Sequence, residues 1–241
     1  MVNACVDLAG ERLEARPAGT LWWPAERVLA AGDLHLGRAA AAARRGESFL
    51  PPYGDQDTLD RLAAEVRLTG ARRVVLVGDS FDDARSADEA AAAVAEALQV
   101  LAAGRDLIWI AGNHDPRPVD ALPGRWASSL RIGPIVFRHI AASAAPQPGG
   151  AEVSAHYHPR ATLVGRRGAV TRRCFLVSGD RLILPAFGTY TGGLDALDSV
   201  FDTLMDDAAS VLMTGRRVVS VPRLHLAKGL RSAPPAVVAG A

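Results

Sequence analysis

Three segments of the chain end alike: a short apolar run, then glycine, then a side chain bearing a carboxylate or an amide. They are Arg27-Val-Leu-Ala-Ala-Gly-Asp33, Arg73-Val-Val-Leu-Val-Gly-Asp79 and Asp106-Leu-Ile-Trp-Ile-Ala-Gly-Asn113. Runs this short and this continuously apolar suit strands buried on both faces, as in parallel sheets covered by helices. Helical patterns lie between them. Residues 58–68 put Leu59, Leu62, Ala63 and Val66 on one face, and Ser86-x-x-Glu89 predicts a capping-box start for an alanine-rich helix ending near Gly104. The 34 residues from Asp79 to Asn113 fit a βαβ unit, which needs about 30 or more. The 46 from Asp33 to Asp79 leave room for an insertion over 38–53, with a short alanine run, Arg44-Arg45 and a Pro51-Pro52 stop.

After residue 130 the pattern changes to short strands and turns, over 133–139, 153–156, 161–165, 169–177 and 181–184, with Ser178-Gly179-Asp180 as a hairpin turn. A helix is expected over 194–204. Together these segments predict an α/β fold with mixed sheets. The length suits one domain over 1–226, followed by an alanine- and proline-rich flexible tail over 227–241.

Composition narrows the function classes. Twenty-seven basic against 26 acidic side chains leave a formal charge of +1, so bulk charge does not announce a nucleic-acid binder. Cys5 and Cys174 lack the short-spaced partners that a thiolate zinc site needs. Asp7 and Glu11 interrupt what would have to be the apolar stretch of a signal peptide, and no run reaches the roughly 20 apolar residues of a membrane span. A soluble, cytoplasmic protein is expected, with no membrane partner.

In an open parallel sheet, ligands gather beyond the carboxyl ends of the strands. Those ends carry Asp33-x-His35, Asp79 and Asn113-His114-Asp115, and His139 and His156-x-His158 follow. Five of the six histidines sit at strand ends; His225 does not. One such histidine is more often structural than a ligand, but five beside aspartates are hard to explain that way. Imidazoles, carboxylates and one amide oxygen form a donor set suited to Mn, Fe or Zn. Asp33, His35, Asp79, Asn113, His139, His156 and His158 can fill two partly open sites if one carboxylate bridges, and Asp79 is the natural bridge. Two divalent ions against two aspartates leave a positive centre for an anionic phosphate and a metal-bound hydroxide.

Gly32-Asp-Leu-His35, Gly78-Asp79, Gly112-Asn-His-Asp115 and the late His-x-His pair resemble the calcineurin-like metallophosphoesterases in order and separation. The resemblance implies a four-layer αββα sandwich and a dinuclear centre. It puts Asp33, His35 and His158 on one ion, Asn113, His139 and His156 on the other, and Asp79 between them. It makes His114 a non-ligand acid that assists the leaving group, and it points to Asp82 rather than Asp83 as the carboxylate that orients His114 or a ligand. The glycine usual before the His-x-His pair is Ala155 here.

Segments outside the ligand motifs are similar to the ligase-associated DNA damage response endonuclease family. They include Leu21-Trp22-Trp23-Pro24, Arg45-Gly46 to Pro51-Pro52-Tyr53, Arg173-Cys-Phe, and Leu184-Pro-Ala-Phe-Gly-x-Tyr190-x-Gly-Gly-Leu194. That resemblance implies a manganese-dependent phosphodiesterase or DNA endonuclease, working through the dinuclear-metal hydroxide, in functional association with an ATP-dependent DNA ligase and a helicase. Where the family has Glu-Lys after the first motif this chain has Gly37-Arg38, so phosphate contact falls to Arg38, with Asn113 as a second substrate contact. Arg44, Arg45, Arg160, Arg166, Arg167, Arg172 and Arg173 offer local basicity for a phosphate backbone, against a bland alternative in which they are solvated and paired with acids. The rival functions are a small-molecule or nucleotide phosphatase with the same centre, and a non-catalytic scaffold of the same fold.

Overall fold

Three strands unannounced by the apolar runs come first in the computed structural model: β1 (Ala4–Leu8), β2 (Glu11–Ala15) and β3 (Leu21–Trp23). β1 alternates, with Val6 and Leu8 buried and Cys5 and Asp7 exposed, which is the period-2 signature of a half-buried strand. Then follow β4 (Val28–Ala31), α1 (Arg38–Arg44), α2 (Gly54–Thr69), β5 (Arg73–Val77), α3 (Ala84–Ala102), β6 (Asp106–Ile110) and β7 (Arg125–Ala127). The second half runs β8 (Ser129–Ile132), β9 (Ile135–Arg138), β10 (Ala151–Ser154), β11 (Arg160–Gly165), β12 (Gly168–Ser178) and β13 (Arg181–Ile183). A 3₁₀ turn (Ser199–Thr203), β14 (Ser210–Met213) and β15 (Val219–Pro222) complete it. The structure describes residues 2–47, 49–165 and 168–226, with 90–93 described by backbone alone; the expected tail over 227–241 lies outside the described residues.

The strands form two mixed sheets. The first has the order β1-β2-β3-β4-β5-β6-β7, antiparallel up to β4 and parallel from β4 to β7. The second has the order β15-β14-β12-β13-β10-β9-β8, with β9, β10 and β13 parallel and β11 folded back on β12. Between the sheets, Trp23, Val75, Val77 and Ile110 meet Phe137, Val153, Phe175 and Leu182. On the outer face of the first sheet, Leu29, Leu76 and Trp109 pack on Leu59, Leu62 and Val66 of α2 and Leu98 of α3. Alternate residues of β5 thus feed two cores, as expected of a strand covered on both faces.

Two local expectations change. Helix α3 starts at Ala84 because Asp83, not Ser86, is its cap: the Asp83 carboxylate accepts the Ser86 N–H at 2.6 Å. The segment over 194–204 holds only the five-residue 3₁₀ turn. Asp195 accepts the N–H of Leu197 at 2.9 Å and Asp198 that of Val200 at 3.0 Å, and such local turns compete with an α-helix for the same backbone donors. This turn, with Phe201 and Met205 against Cys174, Leu176 and Ile183, covers the outer face of the second sheet. Among the described residues, no helix is long and apolar enough to cross a membrane.

Trp109 is fully buried, stacks between Phe81 and Trp126 at centroid distances of 6.1 and 5.4 Å, and donates its indole N–H to the Pro123 carbonyl at 2.9 Å. Trp109→Ala is expected to destabilise the fold by about 3–5 kcal/mol, and Trp109→Phe by clearly less, in urea unfolding followed by circular dichroism. Equal losses would mean that the hydrogen bond, rather than the packed volume, holds this layer.

Candidate metal centre

The carboxyl ends of β4, β5 and β6 meet those of β9 and β10 at one rim of the sandwich, and every candidate ligand stands there. Main-chain hydrogen bonds stitch the loops together: Asp33 N–H to Gly78 O at 3.1 Å, His35 N–H to Asp79 O at 3.0 Å, Gly188 N–H to Asp33 O at 3.0 Å and Ala155 N–H to His139 O at 2.9 Å. The turns are sharp. Asp33, His35, Asp79, His156 and His158 have φ of 54°, 46°, 45°, 72° and 48°, a left-handed region that non-glycine residues seldom enter. Gly78, at φ 76°, has no room for a side chain, because a Cβ there would fall inside the imidazole of His139. A Cβ on Gly112 would likewise overlap the Asp79 carboxylate. Ala155 sits directly over Gly32, whose absent Cβ makes room for the methyl group.

Two trios of ligand-type side chains result. Asp33, His35 and His158 form one; Asp79, His139 and His156 form the other. In the first, His35 Nε2 and His158 Nε2 are 3.3 Å apart and His158 Nε2 is 3.4 Å from Asp33 Oδ1. In the second, His139 Nε2 lies 3.2 Å from Asp79 Oδ2, 3.2 Å from His156 Nδ1 and 3.0 Å from Asn113 Oδ1. Ligands bonded to one ion at about 2.1 Å are separated by about 3.0–3.4 Å in octahedral or tetrahedral geometry. The observed spacings match those edges, and the donors are nitrogen and oxygen only, so the residues fit divalent metal ions.

Neighbouring groups aim the imidazoles. His139 turns Nδ1 to the Val77 carbonyl at 3.2 Å, leaving Nε2 to face the second trio. His35 turns Nδ1 to Asp82 Oδ1 at 3.2 Å. Such outward partners set the tautomer and direction of a metal-binding histidine. Burial opposes ionisation of Asp79, but its hydrogen bond with His139 and the His114 N–H hold its pKa at about 2. Burial, with the neighbouring His139 and His158, pushes His156 down; His139 rises against its own burial because Asp79 and Asp33 attract its charged form.

His114 stands outside both trios. Its N–H donates to Asp79 Oδ1 at 2.9 Å, its Nδ1 meets the Asp82 carbonyl at 2.6 Å, and its Nε2 is 4.0 Å from Asp79 Oδ2 on a side chain 42% exposed. Asp82 therefore touches both groups between which the sequence left a choice: the carboxylate faces His35 and the main-chain carbonyl faces His114. Arg38 donates to Asp82 Oδ1 at 2.6 Å and Arg45 to Oδ2 at 3.1 Å. Against the penalty of burial, His35 and Arg38 keep the Asp82 carboxyl well below the usual carboxylate range.

Asp115 is a site residue to which the sequence reading assigned no task. Buried, it accepts the N–H groups of Ser80 at 2.7 Å, Phe81 at 3.2 Å and Gly112 at 3.0 Å, and so ties the β5 loop to the β6 loop. Burial and the charge of Asp79 push its pKa up to about 6. Its place in Asn113-His114-Asp115 was the available signal.

The expected basic track shrinks. Arg173 is half-buried and donates to the carbonyls of Phe187, Gly188 and Thr189 at 3.2, 2.6 and 3.1 Å. Burial lowers its pKa to about 10. Arg44 pairs with Asp83 and Glu89, and Arg45 with Glu47 and Asp82. Arg172 is exposed and Arg160 half-buried; Arg166 and Arg167 lie outside the described residues.

The family model of the calcineurin-like phosphoesterases matches residues 26–182. No curated protein matches the chain. Among solved structures, the chain is similar to the nuclease MPE of Pseudomonas putida, with a TM-score of 0.70 and 20% identity over 91% of this chain and 100% of that one. It is also similar, at a TM-score of 0.43 and 16% identity, to the phosphoesterase YfcE of E. coli, over 81% of this chain and 98% of that one.

Gly78→Ala is expected to displace His139 and to lower the divalent metal retained per chain after gel filtration, read by elemental analysis. Gly10→Ala is the control, since Gly10 has φ 80° but nothing within 4 Å of its Cβ position. It should cost about 1 kcal/mol of backbone strain and leave the metal content as it was.

Proposed function

Because the chain belongs to the calcineurin-like phosphoesterase family, we propose that it hydrolyses phosphodiester bonds, as a manganese-dependent DNA endonuclease or phosphodiesterase acting in DNA repair. The observation that carries this reading is the pair of convergent ligand trios with an exposed imidazole, that of His114, at their edge. Asp33, His35 and His158 would hold one divalent ion, and His139, His156 and Asn113 the other, with Asp79 between them. Bound there, the ions supply Lewis acidity to the phosphoryl oxygens and lower the pKa of an attacking water.

The chain's own groups do the rest. His114 is oriented by the Asp82 carbonyl, which accepts its Nδ1–H and leaves Nε2 to give a proton to the departing oxygen. That Nε2 lies 4.0 Å from Asp79 Oδ2, at the edge of the ligand trios. Asn113, half of whose amide faces His139, presents its other half toward the substrate, and Arg38 keeps Asp82 ionised beside His35. The nuclease MPE of Pseudomonas putida shares the fold over its whole length, and that likeness, with the family-like segments outside the ligand motifs, supports DNA as the substrate. An ATP-dependent DNA ligase and a helicase are the functional associates this reading proposes.

A sugar hydroxyl is a poor leaving group, so the acid matters most with DNA. His114→Ala is expected to lower kcat on an oligonucleotide by about a hundredfold or more while retaining manganese, and to lower it much less on a nitrophenyl ester; equal losses would remove His114 as the acid. The substrate class is checked by comparing bis(4-nitrophenyl) phosphate with 4-nitrophenyl phosphate in manganese. Faster cleavage of the diester, abolished by chelation, is expected. Faster cleavage of the monoester would favour a small-molecule phosphatase, and cleavage of neither a non-catalytic scaffold.

A further inference from the structure

A groove of about 430 Å³ leads away from the second trio, with Asn113 and His139 at one end and Ser128, Ser129, Arg138 and Ile140 along it. It exists because the chain crosses from the first sheet to the second at Ser128, between β7 and β8, so that the groove follows the outer face of the β8–β9 hairpin. In that hairpin Ser129 pairs with Arg138, and Arg131 with Val136. Ile135 and Phe137 point the other way, into the core between the sheets. The two rows on the outer face are about 6.8 Å apart, two residues of strand rise.

Arg138 differs from the arginines of the expected track. Its Nε lies 3.2 Å from Glu152 Oε2, and Glu152 is anchored by the Ala142 N–H, so the stem of the guanidinium is held in place. Among the described residues Glu152 is its only ionic partner, and the side chain stays 38% exposed. Beyond it a second groove, of about 220 Å³ and sharing Arg138, continues past the exposed Arg131. The two cations stand diagonally on neighbouring strands, starting beside the candidate metal ligands; their stems are roughly 7–8 Å apart, a span that successive phosphates on a nucleic-acid strand can bridge.

We propose that this groove seats the nucleotide next to the scissile bond, with Arg138 on the phosphate flanking that bond and Arg131 on the one after it. The substrate is then a strand bearing further phosphates, not an isolated diester. A guanidinium meets a phosphate through two parallel hydrogen bonds, and the hydroxyls of Ser128 and Ser129 suit sugar or phosphate oxygens. Among the described residues, the only ring in the groove lining is the buried imidazole of His139, which is turned to the ligand trio, so little base preference is expected.

The inference rests on the phosphodiesterase reading, and the experiment separates the two. The manganese-loaded protein is given a thymidine dinucleotide whose only phosphate is the scissile one, and the same dinucleotide with an added 5′ or 3′ phosphate. One of the phosphorylated forms should have a kcat/KM higher by about ten- to hundredfold, and Arg138→Gln should remove that preference. Arg131→Gln, which leaves the Glu152 contact untouched, should weaken only longer oligonucleotides and flatten the salt dependence of their cleavage. Cleavage of all three dinucleotides at one rate, or a preference that survives in Arg138→Gln, would overturn the groove assignment and leave the phosphodiesterase reading standing. Absence of cleavage of any diester would overturn both.

Discussion

Asp33 and Asp79 are almost wholly buried where two sheets meet, and the geometry of the site follows from what a buried carboxylate requires. Removing such a charge from water is expensive unless hydrogen bonds and opposite charge replace the solvent. Asp33 receives the His156 N–H on both oxygens, at 3.2 and 3.0 Å, and Asp79 receives the His114 N–H. Each of these bonds joins loops far apart in the chain, and the Asp33 bond joins the two sheets. The carboxylates therefore do two things at once: they offer oxygens to a cation and they lock the loops that carry the imidazoles.

That locking is what tolerates the strained backbone. Five candidate ligands adopt positive φ, a conformation that for non-glycine residues is held only where the surroundings over-determine it. Here the surroundings are the main-chain bonds between loops and the packed layers below, where Val75, Val77 and Ile110 abut Phe137 and Val153. Sharp reversals at the strand ends turn side chains inward that a smoother exit would send to solvent. Gly78 and Gly112 contribute by leaving empty the volumes that His139 and Asp79 occupy.

Much of this was legible beforehand, and the exceptions have physical causes. Buried parallel strands announce themselves because both faces must be apolar, which is why β4, β5 and β6 stood out while the half-exposed β1 and the three-residue β3 did not. The sequence leaves the α3 boundary open because Asp83 and Ser86 are both good caps, and only the backbone path decides which oxygen meets a free N–H. Arginines in a row read as a basic surface, yet Arg173 faces inward to three carbonyls and Arg44 and Arg45 meet acids from elsewhere in the chain. Asp115 went unassigned because its partners are main-chain N–H groups, which carry no sequence signature.

The sequence by itself determined the layered α/β architecture, the placing of polar residues at the strand ends and the donor types gathered there. Those properties are local, written in apolar periodicity and in residues adjacent to a strand. The family-like motifs already implied which ligands group together; only the tertiary structure decided how closely their donor atoms approach, 3.3 Å between His35 and His158 and 3.2 Å between His139 and Asp79, that Asp82 serves His35 with its side chain and His114 with its backbone, and that Arg138 rather than Arg173 faces an open groove. These depend on how two sheets are stacked and on which way each loop turns. Such relations span from 32 residues between Asp82 and His114 to 123 between His35 and His158 and are set by close packing, which has no period to read.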